Sequence, residues 1–198
     1  MRKDYEIILN LIPENSKVLD IGCSDGELIT YLENKGVSAQ GVELNQEKVI
    51  KCLEKGLDVI HGDINLIVED FPFNQFDYCL LTQTIQAVQE PDKLLNTLKK
   101  VSKNIIVSFN NSARLRKISK FLLTGSFDSL LKKADSDHWY NTNYIHPCSI
   151  KDFKKLATDL DLKIISTFDV LTQKKFENGK IPSNLFCKEV LFHITNEQ

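Results

Sequence analysis

The sequence predicts a three-layer αβα sandwich built on a seven-stranded, mostly parallel, Rossmann-like sheet whose last two strands form an antiparallel pair. Three observations lead there. Strand-length apolar runs alternate with amphipathic helical stretches as far as Asn110, the pattern of parallel strands joined by crossover helices. The first of those runs ends in a glycine-rich turn, Gly22-Cys-Ser-Asp-Gly26. The last two runs have no helical pattern between them, and strands joined without a crossover pair antiparallel.

In order along the chain, residues 5–12 read as a leading helix and residues 17–21 as the first strand. A helix over 26–35 leads to a strand over 38–43, and a helix over 46–55 leads to a strand over 58–61. Residues 76–81 make the fourth strand, after which Pro91 opens a helix, as a proline in a first helical turn can. The fifth strand spans 104–109, followed by a basic amphipathic helix over 114–123. Residues 124–147 are polar, aromatic and irregular. A loop of this length is often functional, so it is expected to form a lid, with Trp139, Tyr140 and His146 facing a pocket. Ser149 caps a helix over 151–160, with Asp152 in the capping-box position. The strands over 163–168 and 189–194 complete the sheet. No linker or repeat divides the chain, so residues 1–198 are expected to fold as one domain.

Composition narrows the function classes. Apolar content of 42% and charged content of 26% are ordinary for a globular domain. No uncharged apolar run approaches the ~20 residues of a membrane span, and no signal-peptide pattern is present, so a soluble, cytoplasmic protein is expected. The five cysteines are odd in number and none stands in a C-x-x-C spacing, which favours reduced thiols and no metal site. A net charge of -2 argues against nucleic acid as a partner. The charge is uneven: 10 basic against 17 acidic residues up to Ser102, then 15 against 10.

The chemistry-bearing signal is VLDIGCSDGEL, residues 18–28. A strand ending at Asp20 runs through Gly22 and Gly26 into a helix. Glycine lets the backbone turn sharply, and the helix amino terminus offers free amides to an anion. A dinucleotide fingerprint, G-x-G-x-x-G, would place Glu27 at its last position, a poor neighbour for pyrophosphate. The G-x-G-x-G pattern of S-adenosylmethionine proteins fits better, with Ser24 at the middle glycine. Asp20, Gly22, Cys23, Ser24 and Gly26 are therefore expected to contact S-adenosylmethionine or S-adenosylhomocysteine. Glu43, ending the second strand beside Leu44, is placed for the ribose hydroxyls. Asp63, after the third strand, is placed for the adenine amino group, with Ile64 against the ring. Gln83, Thr84 and Gln86 follow the fourth strand and are expected to face the methyl group and its acceptor. Gln83 and Thr84 are the first candidates for catalysis; His146 is a third, as a general base.

These segments resemble one family, the methionine biosynthesis protein MetW family. The resemblance is carried by VLDIGCSDGELITYL, GVELNQEKVIKCLEKGLDVIHGDI, FDYCLLTQTIQAVQEPDKLL, IIVSF and WYNTNYIHPCSIKDF. Q-x-x-Q-A-V and W-Y-N-T…I-H-x-C are its specific blocks, with a weaker echo in PSNLF before the last strand. It implies a methyltransferase of the S-adenosylmethionine class acting on a small molecule. Alternatively, it implies a regulatory subunit that partners homoserine O-acyltransferase, with the cofactor as ligand. Two departures stand out: Ser24 replaces a glycine, and residues 110–115 read NNSARL where the family usually has P-N-F-G-H-W.

Overall fold

A computed structural model describes residues 1–127, 146–176 and 182–196. The strands are β1 (Lys17–Ile21), β2 (Ser38–Glu43), β3 (Asp58–His61), β4 (Phe76–Thr82), β5 (Ser102–Asn110), β6 (Lys163–Asp169), β7 (Lys174–Lys175) and β8 (Glu189–Thr195). They form one sheet in the order β3-β2-β1-β4-β5-β8-β6-β7. The helices among the described residues are α1 (Lys3–Leu11), α2 (Glu27–Asn34), α3 (Gln46–Glu54), α4 (Ile64–Ile67), α5 (Pro91–Val101), α6 (Leu115–Thr124), α7 (Ile150–Asp159) and α8 (Pro182–Phe186).

The first five strands are parallel, and the chain switches sides between β1 and β4. Beyond them β8 inserts between β5 and β6 and pairs antiparallel with both. It follows that β6 runs in the same direction as the first five, and that β8 is the reversed long strand. The sheet has eight strands where seven were expected. The addition is the two-residue β7, which pairs with Phe168 and Asp169 at the β6 end. The connection from β6 to β8 is also not free of helix, because α8 lies within it. Five residues are too few for hydrophobic periodicity to show in sequence. The same applies to α4, four residues long, which was not anticipated.

The central strands β1, β4, β5 and β8 bury both faces, as strands covered by helices on either side do. Alternate residues serve opposite layers: Val18, Leu80, Ile106 and Leu191 join α1, α2 and Cys52 of α3. Leu19, Leu81, Val107 and Phe192 join α5 and α7 on the other face. Phe153 of α7 anchors that second layer, its ring 5.3 Å from Phe109 and 4.6 Å from Phe192. Burying one such ring contributes roughly 1.5–3 kcal/mol. Ser149 and Asp152 form the expected capping box at the start of α7. In contrast, α6 buries none of its residues among the described ones.

Candidate functional site

At the β1 end, backbone conformation and side-chain bonds together define a loop. Gly22 has φ +74° and Gly26 φ +76°, in the left-handed region that glycine enters without strain. A methyl group on Gly22 would lie 2.7 Å from Thr84 Oγ1, so the loop closes on the turn after β4. Ser24 adopts φ 55° as well, a conformation uncommon for a side-chain-bearing residue. Gly22 and Cys23 both donate their amides to the Val42 carbonyl of β2. Gly26 caps α2 with no side-chain bond, leaving the first-turn amides of α2 open toward the strand ends.

Two carboxylates organise this loop. Glu43 is buried at the end of β2, its Oε2 accepting from the Ser24 amide at 2.9 Å and its Oε1 from the Asn45 amide at 2.9 Å. Each oxygen keeps a lone pair for a further donor. Asp20 is 1% exposed, and its Oδ1 accepts no hydrogen bond among the described residues. Burial pushes its carboxyl up to about 7, against the pull of the nearby Arg2 guanidinium and a hydrogen bond with Thr82. An unpartnered buried carboxylate oxygen is costly and calls for an explanation.

Asp63 caps α4, its Oδ1 accepting from the Asn65 amide at 2.9 Å and from Asn65 Nδ2 at 2.7 Å. Ile64 beside it is buried, and Leu44 is exposed at the end of β2. His61 Nε2 bonds the Leu44 carbonyl at 3.1 Å and so fixes the backbone there. Asp20, the 22–26 loop, Glu43, Leu44, Asp63 and Ile64 thus follow the ends of three adjacent strands. For a ligand carrying an amino acid, a ribose and a flat heterocycle, these groups fit. The glycine turn admits its close approach, Glu43 offers paired acceptors, and Asp20 offers a buried carboxyl with one oxygen unpartnered among the described residues.

The residues expected nearer the acceptor each make hydrogen bonds within the protein. The Gln83 side chain donates to Glu189 Oε1 at 2.7 Å and accepts from Asn110 Nδ2 at 2.7 Å. The Thr84 hydroxyl lies 3.0 Å from the Ile21 carbonyl and 3.2 Å from that of Thr82, so its proton goes to the backbone beneath Gly22. Gln86 is buried and exchanges bonds with the backbone of His146. The exposed imidazole of His146 bonds the Gln89 carbonyl at 3.0 Å, which makes Nε2 the donor. Of the expected lid, residues 128–145, including Trp139 and Tyr140, lie outside the described residues.

Sequence reasoning missed a second feature. A cleft of about 460 Å³ opens beside the first, reached by Gln83 and Asn110 from the ends of β4 and β5. Lys188 and Glu189 enter it at the start of β8, and Val170 and Leu171 follow β6. The first turn of α1 completes it with Arg2, Lys3 and Asp4. Arg2 bonds the buried Asp4 carboxylate through Nε at 3.1 Å and Nη2 at 2.5 Å, and Tyr5 Oη through Nη1 at 3.2 Å. Burial alone would lower the Arg2 pKa, but the Asp4 carboxylate more than reverses this. Burial raises the carboxyl of Glu189. In sequence Asp4 reads as an ordinary first-turn acid favouring the helix dipole, and Glu189 as a strand terminus. No local signal links them.

Strand order, glycine turn and acidic strand ends define the fold of class I S-adenosylmethionine-dependent methyltransferases, and solved structures agree. A methyltransferase of this kind from Mesorhizobium loti superposes with a TM-score of 0.69 at 12% identity, covering 98% of this chain and 97% of that one. A TehB-like one from Corynebacterium glutamicum gives 0.66 at 14% identity, covering 100% and 89%. The family model for methionine biosynthesis protein MetW matches residues 2–194, and the chain belongs to that family. It is 31% identical to the bifunctional methionine biosynthesis protein MetXA/MetW of Rhodopirellula baltica, over 98% of this chain. The chain spans about a third of that relative's length, 33%. Among the described residues no helix is long and apolar enough to cross a membrane, and no group of three or more histidine, cysteine or acidic residues forms a metal site.

Proposed function

We propose that this protein binds S-adenosylmethionine across the ends of β1, β2 and β3 and presents it to a small-molecule methyl acceptor on the β4–β5 side. The observation that carries the reading is Glu43, a buried carboxylate oriented by the Ser24 and Asn45 amides with acceptor capacity to spare. Glu43 would take the ribose hydroxyls, and Asp63 with Ile64 the adenine. The open amides of α2 would take the carboxylate of the methionine end, and Asp20 its ammonium. Bound there, the cofactor supplies an electrophilic methyl group on a sulfonium. Methyl transfer depends chiefly on alignment of nucleophile and methyl, so the engagement of Thr84 and His146 with backbone carbonyls does not oppose it. Calorimetry with S-adenosylhomocysteine tests the site: wild type should bind and Glu43→Ala should bind far more weakly. Equal affinities would remove the assignment.

One observation favours a second reading. The Rhodopirellula baltica relative carries MetXA and MetW in a single chain. On this reading the protein partners a homoserine O-acyltransferase, and S-adenosylmethionine acts as a ligand that reports pathway output. Tightening of the complex by cofactor would then equal tightening of cofactor by the complex. Sedimentation of the mixed proteins, with and without S-adenosylhomocysteine, decides it. Two independent species at unchanged acyl-transfer rate leave the methyltransferase reading alone.

A further inference from the structure

The cleft beside the glycine loop has a charge pattern that selects a ligand class. Of its charged groups, most are already satisfied. Arg2 and Asp4 neutralise each other, and Lys3 donates to the Leu171 carbonyl at 2.6 Å. Two remain. The Lys188 ammonium has no hydrogen bond or ion pair among the described residues. Glu189 receives Gln83 on Oε1, and its Oε2 accepts nothing among the described residues. One cation and one anion, within Coulombic reach of each other but sharing no hydrogen bond or ion pair among the described residues, therefore line the same cavity. Beside them Leu171, 41% exposed, gives the wall an aliphatic stretch. The volume, about 460 Å³, falls within the range of small-molecule sites, ~300–1,000 Å³.

A simple anion placed here would meet Glu189, and a simple cation would meet Lys188 and the Lys3 ammonium, whose charge its carbonyl bond leaves intact. A neutral apolar molecule would desolvate both without compensation. A zwitterion answers each charge with its opposite. The Glu189 carboxylate and the backbone at Lys188 are also held in place. Glu189 is held by Gln83, which Asn110 holds in turn, and the Lys188 carbonyl accepts the Asn111 amide at 2.9 Å.

We propose that this cleft binds a free α-amino acid with a linear, largely aliphatic side chain. Its carboxylate lies at Lys188, its ammonium at Glu189 and its side chain along Leu171. The proposal deepens the methyltransferase reading, since it rests on the cofactor occupying the neighbouring strand ends and names the class of molecule next to it.

The test uses the full chain saturated with S-adenosylhomocysteine, so that the amino-acid end of the cofactor site is filled. Calorimetric titrations follow with L-norleucine, with hexanoate, which lacks the ammonium, and with pentylamine, which lacks the carboxylate. Norleucine should bind saturably, and each truncated probe about tenfold or more weakly, 1.4 kcal/mol per factor of ten. Lys188→Met should weaken norleucine about tenfold while leaving pentylamine as tight or tighter, and Glu189→Gln should weaken norleucine likewise while leaving hexanoate as tight or tighter. Melting curves of both variants report folding. Absence of norleucine binding, or equal binding of the three probes, overturns the proposal. So does retention of norleucine affinity in folded Lys188→Met and Glu189→Gln proteins. If S-adenosylhomocysteine itself fails to bind, the cofactor reading falls. The same titrations on the unliganded chain still decide the cleft.

Discussion

The ends of β1, β2 and β3, and the ends of β4 and β5 with the start of β8, carry two polar sites built in opposite ways. Over β1–β3 the parts come from short stretches of chain: a five-residue turn, one acid ending β2, one acid after β3. Their bonds are correspondingly local or between adjacent strands, such as Ser24 to Glu43 and Asn65 to Asp63. Over β4–β8 the parts are scattered. Gln83 meets Glu189 across 106 positions of sequence, and Lys3 meets the Leu171 carbonyl across 168. A locally encoded site can be read before it is folded, whereas one assembled from distant segments exists only once β8 has inserted between β5 and β6.

The largest expected effect breaks the first site alone. Gly22→Ala forces a left-handed residue to carry a Cβ 2.7 Å from Thr84 Oγ1. Left-handed strain and overpacking together should cost about 2–4 kcal/mol. Urea midpoints will measure it, and cofactor binding should be lost with it. A midpoint within about 0.5 M of wild type at unchanged slope would mean that the turn is softer than its geometry implies.

Next comes a test of the junction between the two sites, where Arg2 from the cleft lies near Asp20 of β1. Burial holds the folded Asp20 carboxyl protonated up to about pH 7, whereas unfolded it ionises near 3.8. Between those values the folded chain binds the extra proton. Stability therefore falls as pH rises through the window and levels off above it. Asp20→Asn abolishes this dependence, so it should gain on wild type by on the order of 2–3 kcal/mol between pH 5 and pH 8. Parallel urea midpoints for the two proteins would contradict the burial argument.

Glu43→Ala should weaken S-adenosylhomocysteine by roughly 1.5–3 kcal/mol, the worth of hydrogen bonds to a charged acceptor. Because the Ser24 and Asn45 amides lose the same partner, Glu43→Gln is the informative companion. It keeps an acceptor for one amide and removes the charge. An affinity between those of wild type and alanine would separate ribose recognition from loop support.

How far the sequence could be read follows the same division. The boundaries of β1, β2 and β3 emerge from apolar runs bounded by turn residues, and the Ser149–Asp152 capping box emerges from spacing alone. Glu43 and the 22–26 loop converge as their order in sequence implies. The backbone bonds of Thr84 and His146 were not legible, because a hydroxyl or imidazole after a strand looks the same whether or not it bonds a backbone carbonyl. The reversal of β8, by contrast, was legible from a missing crossover. The pairing of Phe168 and Asp169 with a two-residue β7 was not, since so short a strand has no period.

The smallest effect sharpens the comparison by leaving the first site untouched. Ser149 Oγ accepts from the Asp152 amide at 3.1 Å, and Asp152 Oδ2 accepts in return from the Ser149 amide at 3.0 Å. Ser149→Ala removes one half of this reciprocal cap, which typically costs ~1 kcal/mol. The loss should be felt through α7, because the cap fixes where the helix begins and hence how Phe153 meets Phe109 and Phe192. Those rings lie on the opposite face of the sheet from α2, and no bond links them to the glycine loop among the described residues. The urea midpoint should therefore fall while S-adenosylhomocysteine affinity, measured well below that midpoint, stays within twofold of wild type. A parallel fall in affinity would show that packing on the far face is coupled to the cofactor turn, and the two ends of the sheet would have to be treated as one site.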